Sequence, residues 1–398
     1  MIARHLASRI RQMSEKMPVV TLTGPRQSGK TTLVRACFPN HDYVSLERPD
    51  ERAAALSDPL GFLGRFREGV IIDEVQRAPD LLSYIQVAVD EDHRPGRFVL
   101  TGSQNLLLGQ AVSQSLAGRT SLLTLLPLSL SELWGRPPLA PERLDEAPDA
   151  LAAPKEADPW RTVFSGFYPR IHDQGLEPTA WLADYFHTYV ERDLRDVLRV
   201  MDVDAFERFV RLCATRTATE LNLSSLASDA GVTQPTARQW ITALRLGSLV
   251  MLLQPHHASF RKRLRKRPKL HFLDSGLACY LLGIGSSEVL ARHPLRGAVF
   301  ESYVVAEIAK AFVHAGREAP LYHWRDATGH EVDLVVDLGD RLIPVEIKSG
   351  VTVTSDAVLG LVRWTSLLGN PNRTGALVHG GAAGYRRGTF AVRPWHLG

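Results

Sequence analysis

The chain has 398 residues, with 47 Lys and Arg against 43 Asp and Glu, a formal net charge of +4 and 44% hydrophobic residues. That length predicts two to three domains with cores of their own, and the near balance of charge excludes a uniformly polycationic molecule. No apolar run reaches the roughly 20 residues that span a bilayer, and three isolated cysteines without a CxxC pair (Cys37, Cys213, Cys279) predict reduced thiols, a cytoplasmic location and no structural zinc site.

The N-terminal "MIARHLASRIRQMSEKM" reads as an amphipathic helix without the uninterrupted apolar core of a secretory signal. The apolar strand "VVTL" follows, and then "TGPRQSGKTTLV", which fits GxxxxGK[ST] between a strand and a helix. In that context Gly24, Pro25, Arg26, Gln27, Ser28, Gly29, Lys30, Thr31 and Thr32 form a phosphate cradle for ATP. Lys30 is expected to reach the β- and γ-phosphates, and the Thr31 hydroxyl to ligate Mg²⁺. The glycine spacing is that of a P-loop and not the GxGxxG of a dinucleotide fold.

A partner site is expected at the end of a second apolar strand, and "GVIIDEVQ" supplies it. Asp73 would hold the Mg²⁺ water shell, and Glu74 would polarise the attacking water as a general base. A third strand, "RFVLTGSQN", sets Ser103, Gln104 and Asn105 at the carboxyl end of the sheet, where ligands bind in open α/β folds; one of the three would sense the γ-phosphate or the water. Arg119 in "SLAGRT" is a candidate to stabilise transition-state charge, in cis or from a neighbouring copy in a homo-oligomer.

These blocks, with "LLPLSLSEL", "TYVERDLRDV" and "KLHFLDSGLACYLLG", resemble bacterial and archaeal AAA+-type ATPases whose C-terminal domain has no assigned function. The resemblance covers nearly the whole chain except an acidic, Pro/Ala-rich stretch from about residue 136 to 159. A helical region follows it, in which Arg192 and Arg195 are weak candidates for cis sensors.

"LSSLASDAGVTQPTARQWITALRLGSLV" has helix-turn-helix spacing, with a turn at Gly231, a Thr233 cap and a second helix packing Ala237, Trp240, Ile241 and Leu244 inward. Gln234, Thr236, Arg238 and Gln239 then face outward. The strands "LVMLLQ" and "KLHFLD" flank the cationic run Arg261, Lys262, Arg263, Arg265, Lys266 and Arg267, so the segment reads as a winged helix with a basic wing and DNA as the expected partner; a protein-interaction module is the alternative.

In the last third, "HEVDLVVDLGDRLIPVEIKSG" reads as a hairpin turning at Gly339-Asp340, which sets Asp333 opposite Glu346 with Lys348 on the same face. Upstream, Glu301 sits on the apolar stripe of Val305, Ile308 and Phe312, a costly place for a carboxylate without a partner. Glu301, Asp333, Glu346 and Lys348 resemble the active site of the PD-(D/E)xK nuclease superfamily, with Val332 standing where the motif's proline would be. That resemblance implies that the acids hold Mg²⁺ or Mn²⁺ and that Lys348 positions or activates water. Pro344 predicts an edge or irregular strand.

The expected architecture is α/β multidomain: a P-loop AAA+-type parallel sheet over 1–135, a linker or insertion over 136–159, a helical region over 160–220, a winged helix over 221–274 and a restriction-endonuclease-like α/β domain over 275–398. Two functions are open: an ATPase coupled to a DNA-acting, metal-dependent nuclease, or a nucleotide-controlled DNA- or protein-binding switch with an inactive nuclease fold.

Overall fold

The computed structural model describes residues 2–103, 115–148, 153–191, 202–256, 267–326, 328–367 and 374–397. They pack as two compact units. The first is Met1–Leu128 with Leu246–Ser248 and Val313–Arg317; the second is Ser129–Arg245, Leu249–Phe312 and Glu318–Gly398.

The first unit begins with α1 (Leu6–Ser14), which buries Leu6 and Ile10 at the spacing its sequence pattern requires. Then come β1 (Val19–Thr23), α2 (Lys30–Cys37), β2 (Asp42–Ser45), β3 (Val70–Asp73), α3 (Leu81–Glu91), β4 (Phe98–Thr101) and β5 (Thr120–Thr124). All strand pairings described in this sheet are parallel, in the order β2-β3-β4-β1-β5. β1, β3 and β4 are buried along their whole length, as continuous apolar strands covered on both faces should be. Because β4 lies between β1 and β3, the carboxyl ends of three strands converge on the P-loop.

The second unit starts with the one-turn helix Leu130–Leu133, closed by a capping box between Ser129 and Glu132. Its first N–H group, from Leu130, donates to Glu307 at 2.7 Å, and Lys310 donates to the other oxygen of Glu307 at 2.8 Å. Residues 129–135, expected with the ATPase domain, therefore pack with the second unit. So does the described start of the expected linker, since Asp145 accepts from Arg341 and Thr374, and Arg393 donates to the Leu144 carbonyl.

Further on lie α4 (Val203–Thr215), β6 (Thr219–Glu220), α5 (Leu223–Ala230), α6 (Gln234–Leu246), β7 (Val250–Pro255), β8 (Lys269–Phe272), α7 (Ser275–Leu281), α8 (Arg296–His314), β9 (Leu321–Arg325), β10 (Glu331–Asp337), β11 (Leu342–Lys348), α9 (Leu359–Leu367), β12 (Gly375–His379), β13 (Tyr385–Arg387) and β14 (Phe390–Pro394). The turn between α5 and α6 forms as its residues demand: Gly231 takes φ +74°, and Thr233 Oγ1 accepts the Thr236 N–H at 3.3 Å. Ala237, Trp240, Ile241 and Leu244 are buried in one core with Phe206, Phe209 and Leu226.

Among the described residues the strands of this unit form a nine-stranded sheet, β13-β14-β12-β11-β10-β9-β7-β8-β6. The boundary expected at 274/275 is thus crossed by one sheet, because β7 pairs in parallel with β9 through Gln254↔Tyr322 and Pro255↔His323. Pro344 is also corrected. Its strand is interior, between β10 and β12, and the pairing with β12 begins only at Val345, one residue beyond the missing N–H group.

Candidate functional site

The P-loop joins β1 to α2. Gly24, at φ +144°, passes so close to the segment after β5 that a Cβ would meet the Leu125 carbonyl oxygen at 2.2 Å. Gln27 and Gly29 also take positive φ, 62° and 91°, alternations from which anion-binding nests are built. Arg4, a residue the motif does not contain, donates to the carbonyls of Ser28 and Leu126, each at 2.7 Å, and ties the loop to the sheet.

Lys30 is buried, and its ammonium donates to the Gly24 and Pro25 carbonyls at 3.0 and 2.9 Å. Burial lowers its pKa from 10.5 to about 8, although Glu74 and Asp73 pull the other way. Thr31 Oγ1 lies 3.2 and 3.0 Å from the two oxygens of Asp73. Asp73 also accepts from Tyr43 Oη at 2.9 Å and from the Thr101 hydroxyl. Desolvation and the Asp73 charge push the Tyr43 phenol up to about 12.

Glu74 stands just past β3 at φ +57°, a left-handed conformation that costs a non-glycine residue about 1–2 kcal/mol. Gln76 donates to Glu74 and, at 2.9 Å, to Ser103 Oγ, so the ends of β3 and β4 are joined at this site. Tyr43, Gln76 and Thr101 were not legible as site residues. Asn105, with Gln104, lies outside the described residues, as do Arg192 and Arg195.

This donor set fits a Mg²⁺-bound nucleoside triphosphate. Ser28 Oγ and Gln76 Oε1 are buried and make no hydrogen bond among the described residues, and such orphaned groups suit a polar, hydrated ligand. Gly24 through Thr32 would hold the phosphates, and Thr31 and Asp73 the ion. Bound ATP would supply the phosphoanhydride to be cleaved; the loop would orient it, and Glu74 would be the candidate to accept a proton from water.

Arg119 requires a correction. It precedes the first residue of β5, where Thr120 pairs with Val19, so it sits at the amino edge of the parallel sheet while the P-loop leaves the carboxyl edge. A five-residue strand spans roughly 16 Å, which rules out action on its own chain's loop. Its guanidinium instead forks onto Asp90 at 2.6 and 2.8 Å.

In the second unit the hairpin turns as expected, with Gly339 at φ +88° and the Leu338 N–H donating to Arg341 at 3.0 Å. The register Leu334↔Val345 brings Asp333 opposite Glu346. Asp333 Oδ2 accepts the Ile347 N–H at 2.8 Å, and Lys348 donates to Glu346 Oε1 at 2.6 Å. Glu301 joins them through a residue not foreseen. Lys269, buried on β8, donates to Glu301 Oε1 at 3.2 Å and lies 3.9 Å from Asp333 Oδ1. Burial and the Asp333 charge push both Glu301 and Glu346 up to about 8.

Glu301, Asp333 and Glu346 were expected to hold a divalent ion together. No group of three or more acidic, His or Cys side chains among the described residues is arranged to hold a metal ion, and Lys269 already answers two of the three carboxylates. Of the expected nucleic-acid contacts, Gln234, Arg238 and Gln239 are exposed on α6, Thr236 is half-buried and Arg267 is exposed. Arg261, Lys262, Arg263, Arg265 and Lys266 lie outside the described residues. Among the described residues, no helix is long and apolar enough to cross a membrane.

Residues 16–134 match the family described as AAA domain. Residues 157–288 match a domain of unknown function, DUF8612, and residues 296–397 another, DUF4143. Over 348 residues the chain is 33% identical to the uncharacterized protein Rv2008c of Mycobacterium tuberculosis, covering 87% of this chain and 73% of that protein; Mb2031c of Mycobacterium bovis matches in the same proportions. The chain belongs to their family. With an AAA domain built around this loop, it is a P-loop ATPase of the AAA+ type. A solved structure, the Walker-type ATPase PABY2304 of Pyrococcus abyssi, is similar at 15% identity with a TM-score of 0.43, covering 69% of this chain and 94% of that one.

Proposed function

We propose that this AAA+ ATPase is a nucleotide-controlled DNA-binding switch, in which residues 221–274 act as a winged helix and the C-terminal domain is a nuclease-like fold. One observation carries the reading: α6 buries Ala237, Trp240, Ile241 and Leu244 and turns Gln234, Arg238 and Gln239 to solvent, beside a β7–β8 hairpin whose connection holds the cationic run. Long polar and cationic side chains on a rigidly held second helix suit a major groove and its phosphates. Arg119, being out of reach of its own loop, would serve a neighbouring copy in a homo-oligomer. The test is ATP turnover and DNA affinity measured together. DNA should stimulate hydrolysis, and ATP should shift DNA affinity; if neither ligand alters the response to the other, the switch reading fails.

A second reading rests on the convergence of Glu301, Asp333, Glu346 and Lys348: the C-terminal domain cleaves DNA with a divalent metal, which would have to displace the Lys269 ammonium from between Glu301 and Asp333. Incubation of supercoiled, linear and single-stranded DNA with Mg²⁺ or Mn²⁺, with and without ATP, separates the two. Cleavage abolished by Asp333→Ala without loss of ATP hydrolysis would establish the nuclease.

A further inference from the structure

Two buried carboxylates, Asp333 and Glu346, and the half-buried Glu301 on α8 need cations, and a metal-dependent site obtains them from solution. Here the chain supplies two. Lys348 is the looser, with its side chain 42% exposed and free to leave Glu346 for water; Lys269 is 7% exposed, at the start of β8, with its ammonium between Glu301 and Asp333. β8 is held on both edges, by Thr219↔Leu270 and Glu220↔Lys269 on one side and Leu253↔Lys269 on the other. The lysine is therefore fixed by the sheet and is not a stray surface cation. With these five groups ionised the cluster carries three negative and two positive charges, and the nearby Glu331 on β10 adds a fourth negative one. One acceptor is left over: Glu346 Oε2 is buried and makes no hydrogen bond among the described residues.

We propose that Lys269 is a built-in cation standing where a divalent ion would bridge Glu301 and Asp333, so that this one residue decides whether the C-terminal site accepts metal. An ammonium nitrogen at 3.2 and 3.9 Å from the two carboxylates occupies the space a metal would need, since metal–oxygen bonds of about 2.0–2.6 Å leave no room for a second cation. Two like charges so close inside a protein repel strongly enough to weaken metal binding by at least ~100-fold. Removing the positive charge would leave the two carboxylates that face it, Glu301 and Asp333, as hard oxygen ligands for one divalent ion.

The inference rests on reading residues 275–398 as a nuclease-like fold, and its test does not use cleavage. Full-length, nucleotide-free protein is titrated with Mn²⁺, and the free ion is followed by electron paramagnetic resonance. Wild type should show no Asp333-dependent binding below millimolar Mn²⁺. Lys269→Met should gain one site at least ~100-fold tighter, lost again when Asp333→Asn is added, whereas Lys269→Arg should behave as wild type. Where Lys269→Met is unstable, Mn²⁺ should raise its melting temperature toward that of wild type by replacing the missing charge. Asp333-dependent binding by wild type as tight as by Lys269→Met would overturn the proposal, as would a Lys269→Met variant that neither gains the site nor is stabilised by Mn²⁺. Failure of wild type to cleave DNA sinks the nuclease reading and not this one, whereas Asp333-dependent cleavage by wild type would do the reverse.

Discussion

Binding a nucleoside triphosphate should return Lys30 to full protonation, and the proton it takes up can be counted. In the folded chain burial holds its pKa at about 8 against 10.5 for an exposed lysine. The sign follows from which state holds the proton. Between about pH 8 and 10.5 the unfolded chain keeps a proton that the native chain has released, so this group's contribution to native stability rises with pH across that window. Anionic phosphates beside the ammonium favour its charged form and move the pKa back up. At pH 8.5 a group of pKa about 8 is about three-quarters deprotonated, and at pH 7 about one-tenth, so binding should consume about 0.7 proton at pH 8.5 and about 0.1 at pH 7. Calorimetry with a non-hydrolysable ATP analogue and Mg²⁺, in two buffers of different ionisation enthalpy, reads that number directly. Lys30→Met should abolish the excess uptake at pH 8.5. Equal uptake at both pH values, or uptake that survives Lys30→Met, would refute the assignment of Lys30 as the buried phosphate ligand.

Glu74→Gln should slow hydrolysis by about 10²–10⁴-fold while leaving ATP affinity within a few-fold, because it removes the proton acceptor and spares the loop; unchanged turnover would shift the base elsewhere. Arg238→Gln should weaken DNA binding and reduce the slope of log affinity against log salt by about one, the value of a single lost phosphate contact, in a fluorescence-anisotropy titration; an unchanged slope would take Arg238 off the DNA. A fragment beginning at residue 275 should fail to fold on its own by circular dichroism, because it strips β9 of its β7 partner and leaves Glu301 and Asp333 without Lys269. A cooperatively melting fragment would argue against one shared sheet.

The features legible in the sequence are those whose partners are near in the chain or set by a strict period. Gly24 to Thr31 is one contiguous loop, Asp73 ends an apolar strand, and the Asp333–Glu346 register follows from a two-residue turn at Gly339. What was missed depends on strand order. Tyr43 and Thr101 reach Asp73 because β2 and β4 flank β3, and no local pattern states that neighbourhood. The cis option for Arg119 failed for the same reason, since proximity to the P-loop of its own chain depends on which end of a parallel strand a residue occupies.

Lys269 was hidden differently, at the end of a cationic run that argues for solvent. Yet two local signals bore on it. It opens an apolar strand, "KLHF", buried at every position, and Glu301 on its apolar helix demanded a partner that its own helix does not provide. A carboxylate that must be buried implies a cation that must be buried with it. Lys30 and Lys310 are buried as well, but each is engaged elsewhere, on the P-loop carbonyls and on Glu307, so the lysine embedded in β8 is the one that meets Glu301.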